Sequence, residues 1–152
     1  SSPLFTEQND WPGINPKLLA SFHRQLAKDS EKTIEGFLKI QAMGSPHVRQ
    51  DIKLLRELVM AYPAPSRETL DDSLALLETV DMRARLATIN QPFLRLYGRL
   101  DSLVPKQVPE LVQEFAQTSE QHVFDKASHA PFISHPEEFF DVLKAWLDRE
   151  FA

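Results

Sequence analysis

Asp101 and His129 are two side chains whose types and spacing suit acid–base chemistry. Each lies in a loop after a short apolar segment, and 28 positions separate them, enough for one crossover helix and a returning strand. In a right-handed crossover both loops emerge at the same edge of a sheet. An aspartate placed there can hold a histidine ring in one tautomer, which leaves the other ring nitrogen free to accept a proton from a nucleophile.

Spacing alone leaves simpler roles open for both residues. Asp101 also suits the capping of a turn, and a single loop histidine is usually a surface residue. The adjacent Ser102 and Ser128 are not expected to be nucleophiles, because neither lies on a glycine-flanked, strained turn. A neighbour on the same loop also rarely reaches the base at hydrogen-bond distance.

The segments around these loops alternate between strand and helix. The sequence predicts strands over 92–98 and 121–124, and helices over 104–115 and 136–151. This order indicates two parallel strands. Two short strands cannot form a parallel sheet that is covered on both faces, so we expect further strands to lie outside this chain. The predicted fold class is α/β, with this chain as one part of the fold.

Residues 10–80 have the periodicity of helices instead. Apolar side chains recur at helical spacing in four stretches, separated by prolines and by Gly44. The predicted helix starts are Asn15-Pro16, Asp29 or Ser30, Ser45-Pro46 and Ser66. The short connections predict a small helical subdomain rather than a solenoid.

A basic stripe is predicted on the third of these helices. Arg49, Lys53 and Arg56 recur at i, i+4 and i+7. The apolar positions opposite them are Ile52, Leu55 and Val59, and the preceding helices add Lys28, Lys32 and Lys39. A solvated helix face is the simpler interpretation. A docking surface for an acidic partner is the alternative, which the stripe alone does not favour.

Composition excludes several classes of protein. The chain has 152 residues, 42% of them hydrophobic and 26% charged, which is typical of a globular domain. The absence of cysteine excludes disulfides, thiolate metal sites and a cysteine nucleophile, and it suits the reducing cytoplasm. A net charge of −5 argues against a general nucleic-acid binder. No apolar run approaches the roughly 20 residues of a membrane span, and no H-E-x-x-H pattern occurs, so we expect no metal.

Several segments resemble one enzyme superfamily and a family within it. The G-x-x-D-x-x-V-P pattern around Asp101 and the loop of His129 resemble the last two triad members of the α/β-hydrolases, whose chain order is Ser, Asp, His. A closer resemblance, over essentially the whole chain, is to the pimeloyl-[acyl-carrier protein] methyl ester carboxylesterases of bacterial biotin synthesis. The segments that carry it are Asp10-Trp11-Pro12-Gly13-Ile14, Gln41-Ala42-Met43-Gly44, Phe93-Leu94-Arg95-Leu96-Tyr97-Gly98 and His129-Ala130-Pro131-Phe132-Ile133-Ser134-His135-Pro136.

This resemblance implies a fold and an activity. Residues 1–9 would end a core strand and enter a lid, residues 10–80 would form the inserted helical lid, and residues 81–152 would be the C-terminal part of the hydrolase core, with its last two parallel strands. Asp101 would be the triad acid and His129 the base of a serine carboxylesterase that hydrolyses the methyl ester of pimeloyl-acyl-carrier protein. No cofactor would be needed.

The resemblance also implies binding surfaces. The substrate's apolar chain would lie along Phe22, Phe37, Leu38, Lys39, Ile40 and Gln41. The acidic acyl carrier protein would dock on Arg49, Lys53, Lys32 and Arg56. The complete protein would be a cytoplasmic monomer.

One departure from the family is large. No G-x-S-x-G occurs, because none of the four glycines flanks a serine in that pattern. We therefore expect the nucleophilic serine and the oxyanion donors in a missing N-terminal half, and this chain to be inactive alone. Two alternatives stay open: another α/β-hydrolase, such as a short-chain esterase or lactonase, and a non-catalytic helical module that binds through the basic stripe.

Overall fold

The computed structural model describes residues 2–151. Ser1, which belongs to the expected strand end, lies outside this range. The helices are α1 (Pro16–Leu26), α2 (Ser30–Ala42), α3 (Val48–Met60), α4 (Arg67–Thr79), α5 (Arg83–Leu86), α6 (Val108–Phe115), α7 (Pro131–Ser134) and α8 (Pro136–Glu150), and the strands are β1 (Leu94–Gly98) and β2 (Glu120–Phe124). The sequence patterns did not predict α5 and α7, which are each one turn long.

β1 and β2 form a parallel pair, as the alternation of strand and helix predicts. The register pairs Gly98 with Phe124, the last residue of each strand. The loops that follow the two strands therefore leave the sheet at the same edge. α6 crosses between the strands and buries Val108 and Val112.

α6 begins at Val108, four residues later than the predicted start at Val104. The preceding turn explains the difference, because the Asp101 side chain accepts hydrogen bonds from the backbone N–H groups of Leu103 and Val104. These bonds hold the chain in a turn that competes with the helix. Pro109 then lies in the first turn of α6, where the N–H that it lacks would have no partner within the helix.

Helices α1, α2 and α4 begin at capping residues that the sequence indicates. Asn15, Asp29 and Ser66 each accept a hydrogen bond from a backbone N–H of the first turn. α1 packs against both α2 and α4, and α2 also packs against α3. The four helices thus form one layer with α1 and α2 at its centre.

α3 begins at Val48, three residues after the predicted start at Ser45. The Ser45 hydroxyl donates to the buried carboxylate of Asp51 and accepts the backbone N–H of His47. Residues 45–47 are therefore held in a turn. α3 also corrects one detail of the predicted stripe: Val59 is 43% exposed and does not belong to the buried side of the helix.

Three apolar clusters join these elements. The first links the N-terminal segment to β1 through Leu4 and Tyr97. The second links α1 to the loop after β1 through Phe22 and Leu103. The third links α2 to α3 and includes Leu38. The second cluster connects the helical layer to the loop that carries Asp101.

Residues 2–9 make isolated bridges rather than a continuous strand. Leu4 bridges Asp81 in antiparallel fashion, and Thr6 bridges Ile14. The indole N–H of Trp11 donates to the carbonyl of Leu4 at 2.9 Å. This segment thereby joins the end of α4 to the first cluster.

Part of the apolar surface has no cover within residues 2–151. β1 pairs only with β2 there, so its second edge is open. Phe140 of α8 is 62% exposed, and Phe151, which directly follows the helix, is 67% exposed. Large exposed apolar surfaces of this kind usually mark a contact with further protein.

Candidate active site

The loops after β1 and β2 are joined backbone to backbone. The N–H of Arg99 donates to the carbonyl of Phe124 at 3.0 Å, and the N–H of Leu100 donates to the carbonyl of Ala127 at 2.9 Å. Gly98 permits this approach, because a Cβ at that position would lie 1.9 Å from the carbonyl oxygen of Ser128. The close contact fixes the two loops relative to each other.

Asp101 and His129 meet where these loops converge. Nδ1 of His129 lies 2.8 Å from Oδ2 of Asp101. The other carboxylate oxygen, Oδ1, accepts the N–H groups of Leu103 at 2.7 Å and Val104 at 3.0 Å. Because both oxygens are engaged, the carboxylate has a fixed orientation toward the imidazole.

The two side chains differ in exposure. The Asp101 side chain is 5% exposed and that of His129 27%. The contact with the carboxylate favours a proton on Nδ1, so Nε2 is the nitrogen with a free lone pair. No hydrogen bond within residues 2–151 engages Nε2, which leaves it available as a base at the open side of the pair.

The serines beside the pair have other contacts. The Ser102 hydroxyl donates to the carbonyl of Ile40 at 3.1 Å. Ser128 is 1% exposed and supplies the carbonyl that approaches Gly98. This chain therefore brings together an acid and a base, and its sequence has no serine in a G-x-S-x-G turn.

The end of α2 reaches the same loops, which the sequence patterns did not predict. The carbonyl of Gln41 accepts the backbone N–H of His129 at 3.3 Å. Ile40, as described, accepts the Ser102 hydroxyl. The only sequence signal for this contact is Gly44, which marks the end of the helix.

The six expected substrate-binding residues divide between different faces of the helical layer. The rings of Phe22 and Phe37 meet edge to face with centroids 5.7 Å apart. Together they border an apolar pocket of about 190 Å³ between α1, α2 and α4. Leu38, in contrast, is buried against Leu55 of α3 in the third cluster, and Lys39 is exposed. Ile40 packs against the second cluster, while the half-buried Gln41 meets the loop of His129.

The expected docking residues are all exposed, but some are paired with acids of the same surface. Nη2 of Arg56 lies 2.9 Å from Oε1 of Glu35 on α2, and Nζ of Lys53 lies 3.8 Å from Oε1 of Glu57. Arg49 and Lys32 make no ion pair within the described range. These last two therefore have the least neutralised charge of the four.

Metal-binding and membrane-spanning features are absent from the described part of the chain. Among residues 2–151, no group of three or more histidine and carboxylate side chains is arranged to hold a metal ion. None of the helices within this range combines the length and the apolar character needed to cross a bilayer.

Solved structures share this fold. An esterase from Exiguobacterium antarcticum matches with a TM-score of 0.82 at 22% identity, over 96% of this chain and 53% of the esterase. A bromoperoxidase from Bacillus anthracis has the same TM-score at 20% identity, over 96% of this chain and 54% of the other. An α/β-hydrolase from a deep-sea metagenome of the Medee basin gives 0.60 at 21% identity, over 88% of this chain and 50% of the enzyme. The predicted fold class, part of an α/β-hydrolase, is confirmed.

The sequence relatives indicate a narrower group of proteins than the solved structures do. A pimeloyl-[acyl-carrier protein] methyl ester esterase from Photobacterium profundum is 52% identical over 97% of this chain. The corresponding esterase from Aeromonas hydrophila is 51% identical over 95% of it. The chain is homologous to these esterases. The resemblance found in the sequence is thereby confirmed, although no protein-family model matches the chain.

The chain spans less than two thirds of these relatives. It covers 58% of the Photobacterium esterase and 57% of the Aeromonas esterase.

Proposed function

We propose that this chain supplies Asp101 and His129 to the triad of a serine carboxylesterase. A serine on another segment attacks the carbonyl carbon of a methyl ester, and Nε2 of His129 accepts its proton. The imidazolium then gives that proton to the departing methoxide, which leaves as methanol. Asp101 stabilises the imidazolium. Water, activated by His129 in turn, releases the carboxylate from the acyl-serine.

The observation that carries this proposal is the 2.8 Å contact between His129 and Asp101. A non-catalytic binding module would not require two residues 28 positions apart to meet with the carboxylate buried and the imidazole partly exposed. The fixed orientation of the carboxylate also suits a group that must hold one tautomer through many turnovers.

The proposed substrate is the methyl ester of pimeloyl-acyl-carrier protein. The names of the relatives support it, and so does the exposed basic surface on α2 and α3, because acyl carrier protein is acidic. In this proposal α1 to α4 form the lid, and the pocket beside Phe22 and Phe37 contributes apolar wall to the acyl site. The enzyme needs no cofactor and acts in the cytoplasm as a monomer.

The serine is proposed to lie on a segment that this chain does not include. The support is the absence of a G-x-S-x-G turn and the share of the relatives that the chain spans. The open edge of β1 and the exposed side of α8 are surfaces on which further strands and helices can pack. The chain by itself is accordingly expected to be inactive, and we call its combination with the serine-bearing segment the complete esterase.

The test compares the 152-residue chain with the complete esterase on three substrates: the carrier-bound pimeloyl methyl ester, free dimethyl pimelate and p-nitrophenyl butyrate. We expect methanol release from the carrier-bound ester by the complete esterase only, and loss of this activity in His129→Ala. Turnover by the isolated chain that His129→Ala abolishes would contradict the proposed need for another segment.

Two other outcomes of the same test would replace the proposal. Hydrolysis of the small esters without a preference for the carrier-bound one would indicate a general short-chain esterase. Binding of acyl carrier protein with no hydrolysis of any ester, in either form of the protein, would indicate a binding module.

A further inference from the structure

The C-terminal end of α2 contacts both loops of the candidate site. We refer to residues 40–45 as the α2 end. These residues lie about 60 positions before Asp101 and nearly 90 before His129 in the sequence. The family resemblance places Ile40 and Gln41 beside the substrate, but no sequence pattern predicts that these residues contact the two loops.

Hydrogen bonds form the first part of this contact. The last carbonyl groups of a helix have no partner within the helix and must find one elsewhere. Here the carbonyl of Ile40, which also accepts the backbone N–H of Met43, accepts the hydroxyl of Ser102, the neighbour of Asp101. The carbonyl of Gln41 accepts the backbone N–H of His129 itself. The helix end is thus bonded to each of the two loops.

Close backbone packing forms the second part. Gly44 has a φ of +94°, a conformation that side chains disfavour. A Cβ at this position would lie 2.8 Å from the carbonyl oxygen of Leu100, which immediately precedes Asp101. Glycine is therefore required at this position for two reasons: the positive φ of the turn and the close approach to the loop that carries Asp101.

Buried contacts with α3 and α7 also fix the position of the α2 end. The Ser45 hydroxyl is bonded to the Asp51 carboxylate, and both residues are buried. Ile133 of α7, four positions after His129, packs against the cluster of Leu38 and Leu55 between α2 and α3. The segment that follows His129 is thereby anchored to the same pair of helices.

We propose that the α2 end is the positioning element of the Asp101–His129 pair. This inference rests on the proposed function and adds that the reactive geometry depends on a helix outside the strands and loops that carry the two side chains. The tolerance of such sites is small, because displacement of reacting groups by about 1 Å can lower a rate about 100-fold. Gly44 and Ser102 act through the loops and are positioning residues.

The test compares Gly44→Ala with Gly36→Ala. Gly36 lies within α2, whereas Gly44 follows the cap of that helix, and a Cβ added at Gly36 meets nothing within 4 Å. In the complete esterase, Gly44→Ala is expected to lower kcat for p-nitrophenyl butyrate about 10- to 100-fold with KM changed less than about twofold. Gly36→Ala is expected to leave both constants unchanged. Equal constants for the two variants would overturn the proposal.

A spectroscopic measurement separates this inference from the proposed function. In proton NMR of the complete protein, the Nδ1–H of a histidine bonded to a carboxylate gives a resonance far downfield. We expect this signal in the unsubstituted protein and in Gly36→Ala, and its loss or broadening in Gly44→Ala. Persistence of the signal in a folded Gly44→Ala variant would refute the positioning role whether or not the complete protein is an esterase.

Ser102 supplies a milder variant in case Gly44→Ala does not fold. Ser102→Ala removes the hydroxyl that bonds Ile40, whereas Ser102→Thr retains one. We expect Ser102→Ala to lower kcat about threefold to tenfold, the effect of a single hydrogen bond, and Ser102→Thr to recover most of it. Unchanged kcat in Ser102→Ala, in a complete esterase that His129→Ala inactivates, would overturn the inference and leave the proposed function intact.

Discussion

The two oxygens of Asp101 have separate partners, and His129 is the partner of only one of them. Oδ2 lies 2.8 Å from Nδ1 of the imidazole, while Oδ1 accepts two backbone N–H groups of its own turn. The same carboxylate therefore delays the start of α6 and orients the imidazole. A substitution at Asp101 changes both the local turn and the acid–base pair.

Asp101→Asn is expected to lower kcat of the complete esterase by about four orders of magnitude. The amide retains an oxygen for the turn, but it can present N–H to Nδ1 and favour the wrong tautomer of His129. The measurement is steady-state hydrolysis of p-nitrophenyl butyrate. Asp125→Asn is the matched control, because Asp125 lies in the loop after β2 and bonds only the exposed Arg99 among residues 2–151. A comparable loss of kcat in Asp101→Asn and Asp125→Asn would contradict a special role for Asp101.

Charge reversal on α3 is expected to affect one substrate class only. Arg49→Glu combined with Lys53→Glu should lower kcat/KM for the carrier-bound ester about 10-fold or more, since repulsion of an acidic partner slows encounter. Hydrolysis of p-nitrophenyl butyrate should not change. The loss should shrink as salt is raised, because the charges are exposed and screened.

The control for this surface carries the same change of charge on α8. Lys144→Glu combined with Arg149→Glu reverses two exposed basic residues on another helix. It should not alter the preference for the carrier-bound ester. An equal effect of the two double variants would show that net charge, rather than docking on α3, determines the rate.

Asp51→Ala is expected to destabilise the chain by about 1–3 kcal/mol, because it leaves the buried Ser45 hydroxyl without its partner. Urea unfolding followed by circular dichroism measures the difference. Asp72→Ala on the exposed side of α4 is the comparison, with an expected change within about 0.5 kcal/mol. If the two variants unfold at the same urea concentration, the turn between α2 and α3 does not depend on this bond.

The stability of the segment after α4 should depend on pH only in strongly acidic solution. The side-chain hydrogen bond from Arg83 holds the pKa of Asp81 below its ordinary value of 3.8. A lowered folded-state pKa gives a stabilisation that is complete above the unfolded-state value and is lost as pH falls through the folded-state value. Because the side chains of Arg83 and Asp81 are 30% and 40% exposed, solvent screens the pair and the contribution should be well below 1 kcal/mol.

The measurement for this pair is the difference in unfolding free energy between the unsubstituted chain and Asp81→Asn. This difference should be the same at pH 7 and pH 5 and smaller at pH 3. The raised pKa of Arg83, due first to its side-chain hydrogen bond with Asp81, adds no dependence in this range, because arginine is protonated throughout it. A difference that grows on acidification would contradict the assigned sign.

The sequence predicts the elements of this fold better than it predicts their contacts. Local signals such as Pro16, Asp29 and Pro136 place the starts of three helices correctly, because caps and prolines act on their own turn. The starts of α3 and α6 were wrong, because Ser45 and Asp101 use their side chains for turns that compete with helix. Local propensity cannot show such competition.

In the candidate site, too, some contacts could be predicted from the sequence and others could not. The approach of Asp101 to His129 could be expected, because parallel strands send their loops to one edge. The contact of these loops with the α2 end could not be expected, because it consists of hydrogen bonds to backbone carbonyl groups and a close approach at Gly44. Backbone carbonyl groups are the same in every residue, so Gly44 is the only sequence signal of this contact.

The distance along the chain between the α2 end and the two loops has a kinetic consequence. The bond from Ser102 to Ile40 spans 62 positions, and that from His129 to Gln41 spans 88. Contacts between distant positions require large loops to close and slow the folding reaction, whereas helices form within their own sequence. During refolding, helical circular dichroism should therefore return early, and the contact between Asp101 and His129 should be among the last features to form.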